Sequence, residues 1–170
     1  MNTSLDQSNE GPQAVSGPEA IAAMRLQVLA AARFKLAIHL PTLPATVLSS
    51  PAELAELRRI AISGRGAEIR IVLGDAASAS RSGHRLIDLA QRLPSVLRIR
   101  CSGDEDESTE VNASSWLLND TGGYLLLPDA DRWEARAALR DGPGHAPLWL
   151  QFEQIWDRAP PATLLQPLDL

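Results

Sequence analysis

An α/β domain, one mixed β-sheet flanked by helices, is the fold class the sequence predicts, and three observations carry it. Short runs of strand-forming residues alternate with helical periodicity through the first hundred residues, the pattern of parallel strands joined by crossover helices. Two apolar runs then follow with Asp120-Thr121-Gly122-Gly123 between them, a composition suited to a hairpin. Last comes an apolar repeat at helical spacing, Leu148, Phe152, Ile155 and Trp156, which closes the chain with a helix. A length of 170 residues suits one domain, since a domain commonly takes roughly 100–200 residues.

Residues 1–16 are polar and lack the basic start and apolar centre of a secretory signal, so they are expected to be a disordered leader of a cytoplasmic protein, with the domain over 17–170. Gly17-Pro18-Glu19 opens a first helix, with Ser16 as its cap and apolar residues at Ile21, Met24, Leu26, Val28 and Leu29. FKLAIHL, from Phe34 to Leu40, reads as a buried strand closed by Pro41 and Pro44. Ser50-Pro51-Ala52-Glu53 is a capping box with proline at the first helical position; the helix it starts carries Leu54, Leu57 and Ile60 and ends at Gly64 and Gly66. AEIRIVLGD, Ala67 to Asp75, alternates and then turns fully apolar, as a central strand does.

The small-residue stretch AASASRSG reads as a loop, followed by a helix from Gly83 to Leu93 and by the strand SVLRIRC. GDEDESTE, Gly103 to Glu110, is too acidic to bury itself and is expected to be a solvated loop. SSWLLND and GYLLLPD are the hairpin strands, RWEARAAL fits strand or helix, and GHAPLWLQFEQIWDRA is a helix that Pro160-Pro161 stops.

Several classes of function are disfavoured by composition. No apolar run approaches the roughly 18 residues of a membrane span. One cysteine, Cys101, excludes a disulfide framework and a thiolate metal cluster, and is expected to be packed as a small apolar residue. His39, His84 and His145 have no neighbours at metal spacing, so neither metal nor cofactor is expected. A net charge of −5 argues against nucleic acid as a partner. Arginines are dense from Arg58 to Arg100 while acids gather from Asp104 to Glu110, which suggests two faces of opposite sign: the arginine-rich one could take an acidic protein partner or a nucleic-acid backbone, or the acidic loop could fold back on it.

His39 is expected to be a hydrogen-bonded core residue and His145 a solvated turn residue. A candidate anion site is Arg81, His84 and Arg85 at a helix start, faced by Asp75 at the carboxyl end of a central strand; the plainer reading makes His84 a cap or a partner of Asp88 one turn on, with Arg85 and Arg92 as surface charges. Trp116, Trp133, Trp149 and Trp156 are expected in the core beneath the last helix, and any that is exposed would mark an interface.

From Phe34 to Trp156 the arrangement resembles one half of the phospholipase D superfamily. The closing Phe-x-x-x-Trp of that superfamily falls on Phe152 and Trp156, and its His-x-Lys-x-x-x-x-Asp falls on Ala113, Ser115 and Asp120. Histidine is replaced by alanine and lysine by serine, while the aspartate remains; Arg132-Trp133-Glu134 keeps only the glutamate of the second element. GHRLIDLAQRL with the C-terminal pattern is similar to an uncharacterised proteobacterial phospholipase-D-like domain associated with GNAT-type acetyltransferases. No acetyl-CoA pyrophosphate loop accompanies it, since Ser63-Gly64-Arg65-Gly66 ends a helix.

The resemblance implies a mechanism with an imidazole nucleophile, an imidazole acid and lysines on the phosphate. Ala113 and Ser115 can supply neither, so no catalytic residue is assigned. The expectation is a catalytically inactive phospholipase-D-like domain, homodimeric by resemblance, that serves as an interaction or ligand-sensing module. The alternative is a phosphodiesterase, or an accessory subunit of an acyltransferase, with displaced catalytic groups.

Overall fold

Seven strands and five helices make up the part of the chain that the structure, a computed structural model, describes: residues 10–102 and 113–162. In chain order these are β1 (Gln13–Ser16), α1 (Pro18–Ala31), β2 (Lys35–Leu40), α2 (Pro51–Ala61), β3 (Glu68–Leu73), α3 (Ala76–Ser82), α4 (Arg85–Arg92), β4 (Leu97–Cys101), β5 (Ser115–Asn119), β6 (Tyr124–Leu127), β7 (Glu134–Ala138) and α5 (Gly142–Arg158). The strands form one mixed sheet in the order β1-β7-β6-β5-β2-β3-β4. β2, β3 and β4 are parallel, as crossover helices require, and every other pairing is antiparallel.

Strand alternation sorts side chains onto two faces. Leu36, Ile38 and Leu40 of β2, with Ile69, Ile71 and Leu73 of β3, pack in one cluster with Val28 and Leu29 of α1, Leu57 and Ile60 of α2 and Leu86 of α4. Ala37 and Val72 turn the other way and pack with Phe152 and Trp156 of α5 and with Trp116 and Leu118 of β5. Among the described residues the sheet is therefore buried between four helices on one side and a single helix on the other.

Three elements differ from the sequence reading. Gln13–Ser16, expected in the disordered leader, pair with Glu134–Ala137 at the sheet edge, where only Val15 is buried. An edge strand with one inward residue has the composition of a polar tail, which hides it. The cap of α1 is Gly17 at φ 93°, not Ser16, and its N–H donates to the Trp133 carbonyl at 2.9 Å. AASASRSG is not a loop: Asp75 accepts from Ser78 N at 3.0 Å and starts α3, with Ala76 and Ala79 buried. The cap and alanine's helix propensity outweigh the serines there. RWEARAAL resolves as a strand, and the acidic stretch 103–110 lies outside the described residues. No described helix is long and apolar enough to cross a membrane.

Candidate functional site

Half of the capping box behaves as its pattern requires, since Ser50 Oγ accepts from Glu53 N at 3.2 Å. The Glu53 carboxylate turns away to α1 instead, where its Oε1 lies 3.5 Å from an Arg25 guanidinium nitrogen. Both residues are buried, at 8% and 5% exposure, and Glu53 Oε2 has no hydrogen-bond partner. Arg25 recurs with Ile21, Met24, Val28 and Leu29 on the apolar stripe of α1, because it stands four residues after Ile21.

Arg25 lines a cleft of about 60 Å³ at the head of β5. Its walls are aliphatic, with Ile38, Leu117 and Leu125 from three adjacent strands, and Ser115 is on its lining. The segment after β2 supplies Leu48, which is fully buried in the left-handed region at φ 55°, a costly conformation for a bulky residue. Trp133, 46% exposed, stands on the lining as well.

The rim is held by ordinary backbone chemistry. Gly74 N donates to Leu40 O at 2.8 Å, and a Cβ at residue 74 would collide with the Pro41 carbonyl. His84 accepts from Leu86 N through Nδ1 at 3.0 Å, so its Nε2 carries the proton and donates to Pro44 O at 3.0 Å. His84 thus caps α4 and ties down a lining residue of the cleft.

Those bonds settle where the expected anion-site residues lie. Asp75 caps α3, His84 is buried with both ring nitrogens engaged, and Arg81 and Arg85 are exposed. The motif positions are also spread apart. Ala113 is exposed just before β5, and Ser115 opens that strand on the cleft. Asp120 lies beyond the strand's other end, where its carboxylate accepts from Arg33 N and Phe34 N, both at 2.8 Å. Glu134 is exposed on β7, in register with Ser16.

Replacement groups for phosphodiester chemistry are scarce. Lys35 is the one lysine of the chain and is exposed at the start of β2. His39 donates through Nδ1 to Ser114 O at 3.0 Å, and its burial pulls the imidazole pKa below the usual value, so it is a neutral core residue as its apolar setting suggests. His145 is not a solvated turn residue: it lies in the first turn of α5, is 2.6 Å from Asn119 O through Nε2 and stacks on Trp149. No group of three or more potential metal ligands occurs among the described residues. The Cys101 thiol is half-buried, and desolvation pushes its pKa up.

The arginines of residues 58–100 do not form one face. Arg59 donates to the C-terminal carbonyls of α1, Leu29 O, Ala30 O and Ala32 O, at 3.0–3.2 Å. Arg70, in contrast, lies on the α5 side and is buried at 7% exposure. It makes a bidentate pair with Glu153 at 2.7 and 2.8 Å, and its guanidinium carbon lies 5.4–5.7 Å from the ring centroids of Trp149, Phe152 and Trp156. Arg70 Nε is 3.0 Å from Glu68 Oε1 but makes no hydrogen bond to it, so that contact is an ion pair only. Arg100 stacks on Trp156 at 4.2 Å. Alternation along β3 and β4 accounts for the positions of Arg70 and Arg100.

Of the tryptophans, Trp116 and Trp156 are core and Trp149 packs against it; Trp116 also reaches the cleft, where Trp133 stands exposed.

A family model described as "Domain of unknown function (DUF7931)" matches residues 17–168. No curated protein matches the chain. Among solved structures, the chain is similar to Nuc, a phospholipase D family member from Salmonella typhimurium, with TM-score 0.59 and 10% identity over 89% of this chain and 97% of that one. It is also similar to TrmBL2, an archaeal chromatin protein with a novel mode of DNA binding, with TM-score 0.62 and 17% identity over 92% of this chain. The chain spans 56% of TrmBL2's length. At these identities the likeness establishes a phospholipase-D-like fold. A DNA-binding neighbour does not fit the expectation, drawn from net charge, that nucleic acid is no partner.

Proposed function

From the premise that this chain belongs to the DUF7931 family, whose model spans residues 17–168, we propose that it is a catalytically inactive phospholipase-D-like domain that works as a ligand-sensing module. The observation that carries this reading is the lining at Ser115: where the resemblance expects lysine beside histidine, an aliphatic cleft holds a serine and a buried arginine instead. A general base or nucleophile must reach the reacting atom at hydrogen-bond distance. His84 has both ring nitrogens engaged, and neither His39 nor His145 stands on the lining of the cleft beside Ser115.

The test is hydrolysis of bis(para-nitrophenyl) phosphate by the full chain, with duplex DNA binding by fluorescence anisotropy beside it. The expected result is no turnover above buffer and no saturable DNA binding at physiological salt. Turnover that disappears in His39→Gln or His145→Gln would overturn the reading in favour of displaced catalytic groups. Tight, salt-sensitive binding of DNA would replace the small ligand by a nucleic acid.

A further inference from the structure

We infer that the cleft beside Arg25 binds a small monocarboxylate with a short apolar body, its carboxylate held by the Arg25 guanidinium. The inference rests on the ligand-sensing reading and gives that ligand a chemical class.

A guanidinium presents five N–H donors in a planar fork, the shape that pairs face to face with a carboxylate. On the α5 side Arg70 gives both terminal nitrogens to Glu153, at 2.7 and 2.8 Å. Arg25 does not: among the described residues its one partner is Glu53, at 3.5 Å, longer than a good charge-assisted hydrogen bond. A guanidinium on the lining of a cleft, with its carboxylate 3.5 Å away, has donors that a ligand from solution can still meet.

The walls set the rest of the ligand. Ile38, Leu117, Leu125 and the strained Leu48 reward an aliphatic group and offer nothing to a second charge. A phosphate dianion would bury two charges against one cation that Glu53 already half neutralises, whereas a carboxylate brings one. Size narrows the choice further. At roughly 10–15 Å³ per water-sized body, about 60 Å³ holds about four to six such bodies, a space that propionate or butyrate fills.

Isothermal titration of the full chain with butyrate tests the assignment, with 1-butanol, acetate and inorganic phosphate as separate probes. Butyrate is expected to saturate and to bind about tenfold or more tighter than either the alcohol or acetate, each of which lacks one half of the ligand. Arg25→Met with Glu53→Leu removes the pair together and is expected to lose butyrate binding. Glu53→Gln keeps the arginine, removes the competing anion and is expected to strengthen binding. If the double variant does not fold, Ser115→Leu fills the cleft without touching the ion pair and is expected to abolish binding.

Absence of saturable butyrate binding, equal binding of butanol, or stronger binding of phosphate overturns the carboxylate assignment. Unchanged butyrate affinity in a folded Arg25→Met/Glu53→Leu chain overturns it too. Phosphodiester turnover breaks the sensing reading, whatever the cleft binds. An inert chain that ignores butyrate breaks the carboxylate assignment alone.

Discussion

Two arginines are buried against opposite faces of one sheet, and the chain treats them differently. Arg70 is closed off: a bidentate carboxylate takes its fork and three aromatic rings of α5 surround it. Arg25 is left open, with one loose partner among the described residues, an orphaned carboxylate oxygen beside it and a cleft in front. A buried guanidinium whose two terminal nitrogens hold a carboxylate docks a helix, whereas one with a single long ion pair beside free space points to something that comes and goes. Burial and residue type are the same in the two cases, so only the partner set separates a structural arginine from a candidate binding one.

The largest expected effect breaks the closed side. Arg70→Ala removes the stem, the ring contacts and the partner of Glu153, and should cost about 3 kcal/mol, less than for a fully buried pair because Glu153 is partly exposed. Chemical denaturation measures it, and a loss below about 1 kcal/mol would mean that α5 is held by Phe152 and Trp156 alone. On the open side, His84→Ala removes the α4 cap and orphans the Pro44 carbonyl, for an expected loss of about 1–2 kcal/mol. It should also speed hydrogen exchange in residues 41–49, which a cap that served α4 alone would leave unchanged. Smaller still is the double change Arg25→Met/Glu53→Leu, expected within about 1 kcal/mol of the parent because an apolar pair replaces an imperfect ionic one. A loss as large as that of Arg70→Ala would erase the distinction between the two arginines.

How much of this was legible in the sequence follows from the same physics. Central strands, the hairpin and the closing helix announce themselves because periodicity is local, and β2, β3, β5, β6 and α5 all stand where their patterns put them. The edge strand β1 stays hidden because its evidence is its partner, β7, more than a hundred residues away. Of the motif, Asp120 is informative in its place, where it ties the hairpin to the start of β2. The Arg25 cleft was missed. Its signal, an arginine on the apolar stripe of α1, is present in the sequence, but its partner Glu53 also fits the capping-box pattern. One carboxylate can satisfy a sequence pattern and still be spent elsewhere.

Acid should sharpen the comparison by acting first on the closed face. Arg70 holds the Glu153 carboxyl below its ordinary pKa, so that pair contributes stability above the unfolded value of 4.5, and the contribution is lost as pH falls through the folded one. His39 lies on the same face against Trp116, and burial lowers its pKa below 6.5. The unfolded chain then takes up a proton that the folded chain refuses, so stability declines as pH drops below about 6.5 and levels off once pH has passed the folded pKa. One such group gives a slope of at most about 1.4 kcal/mol per pH unit. Denaturant midpoints measured down from pH 7 should therefore begin to fall with His39, well before Glu153 titrates, and His39→Gln should flatten that first decline while leaving the later one in place. A first decline that survives in His39→Gln would assign it to another group and detach the acid response from the α5 face.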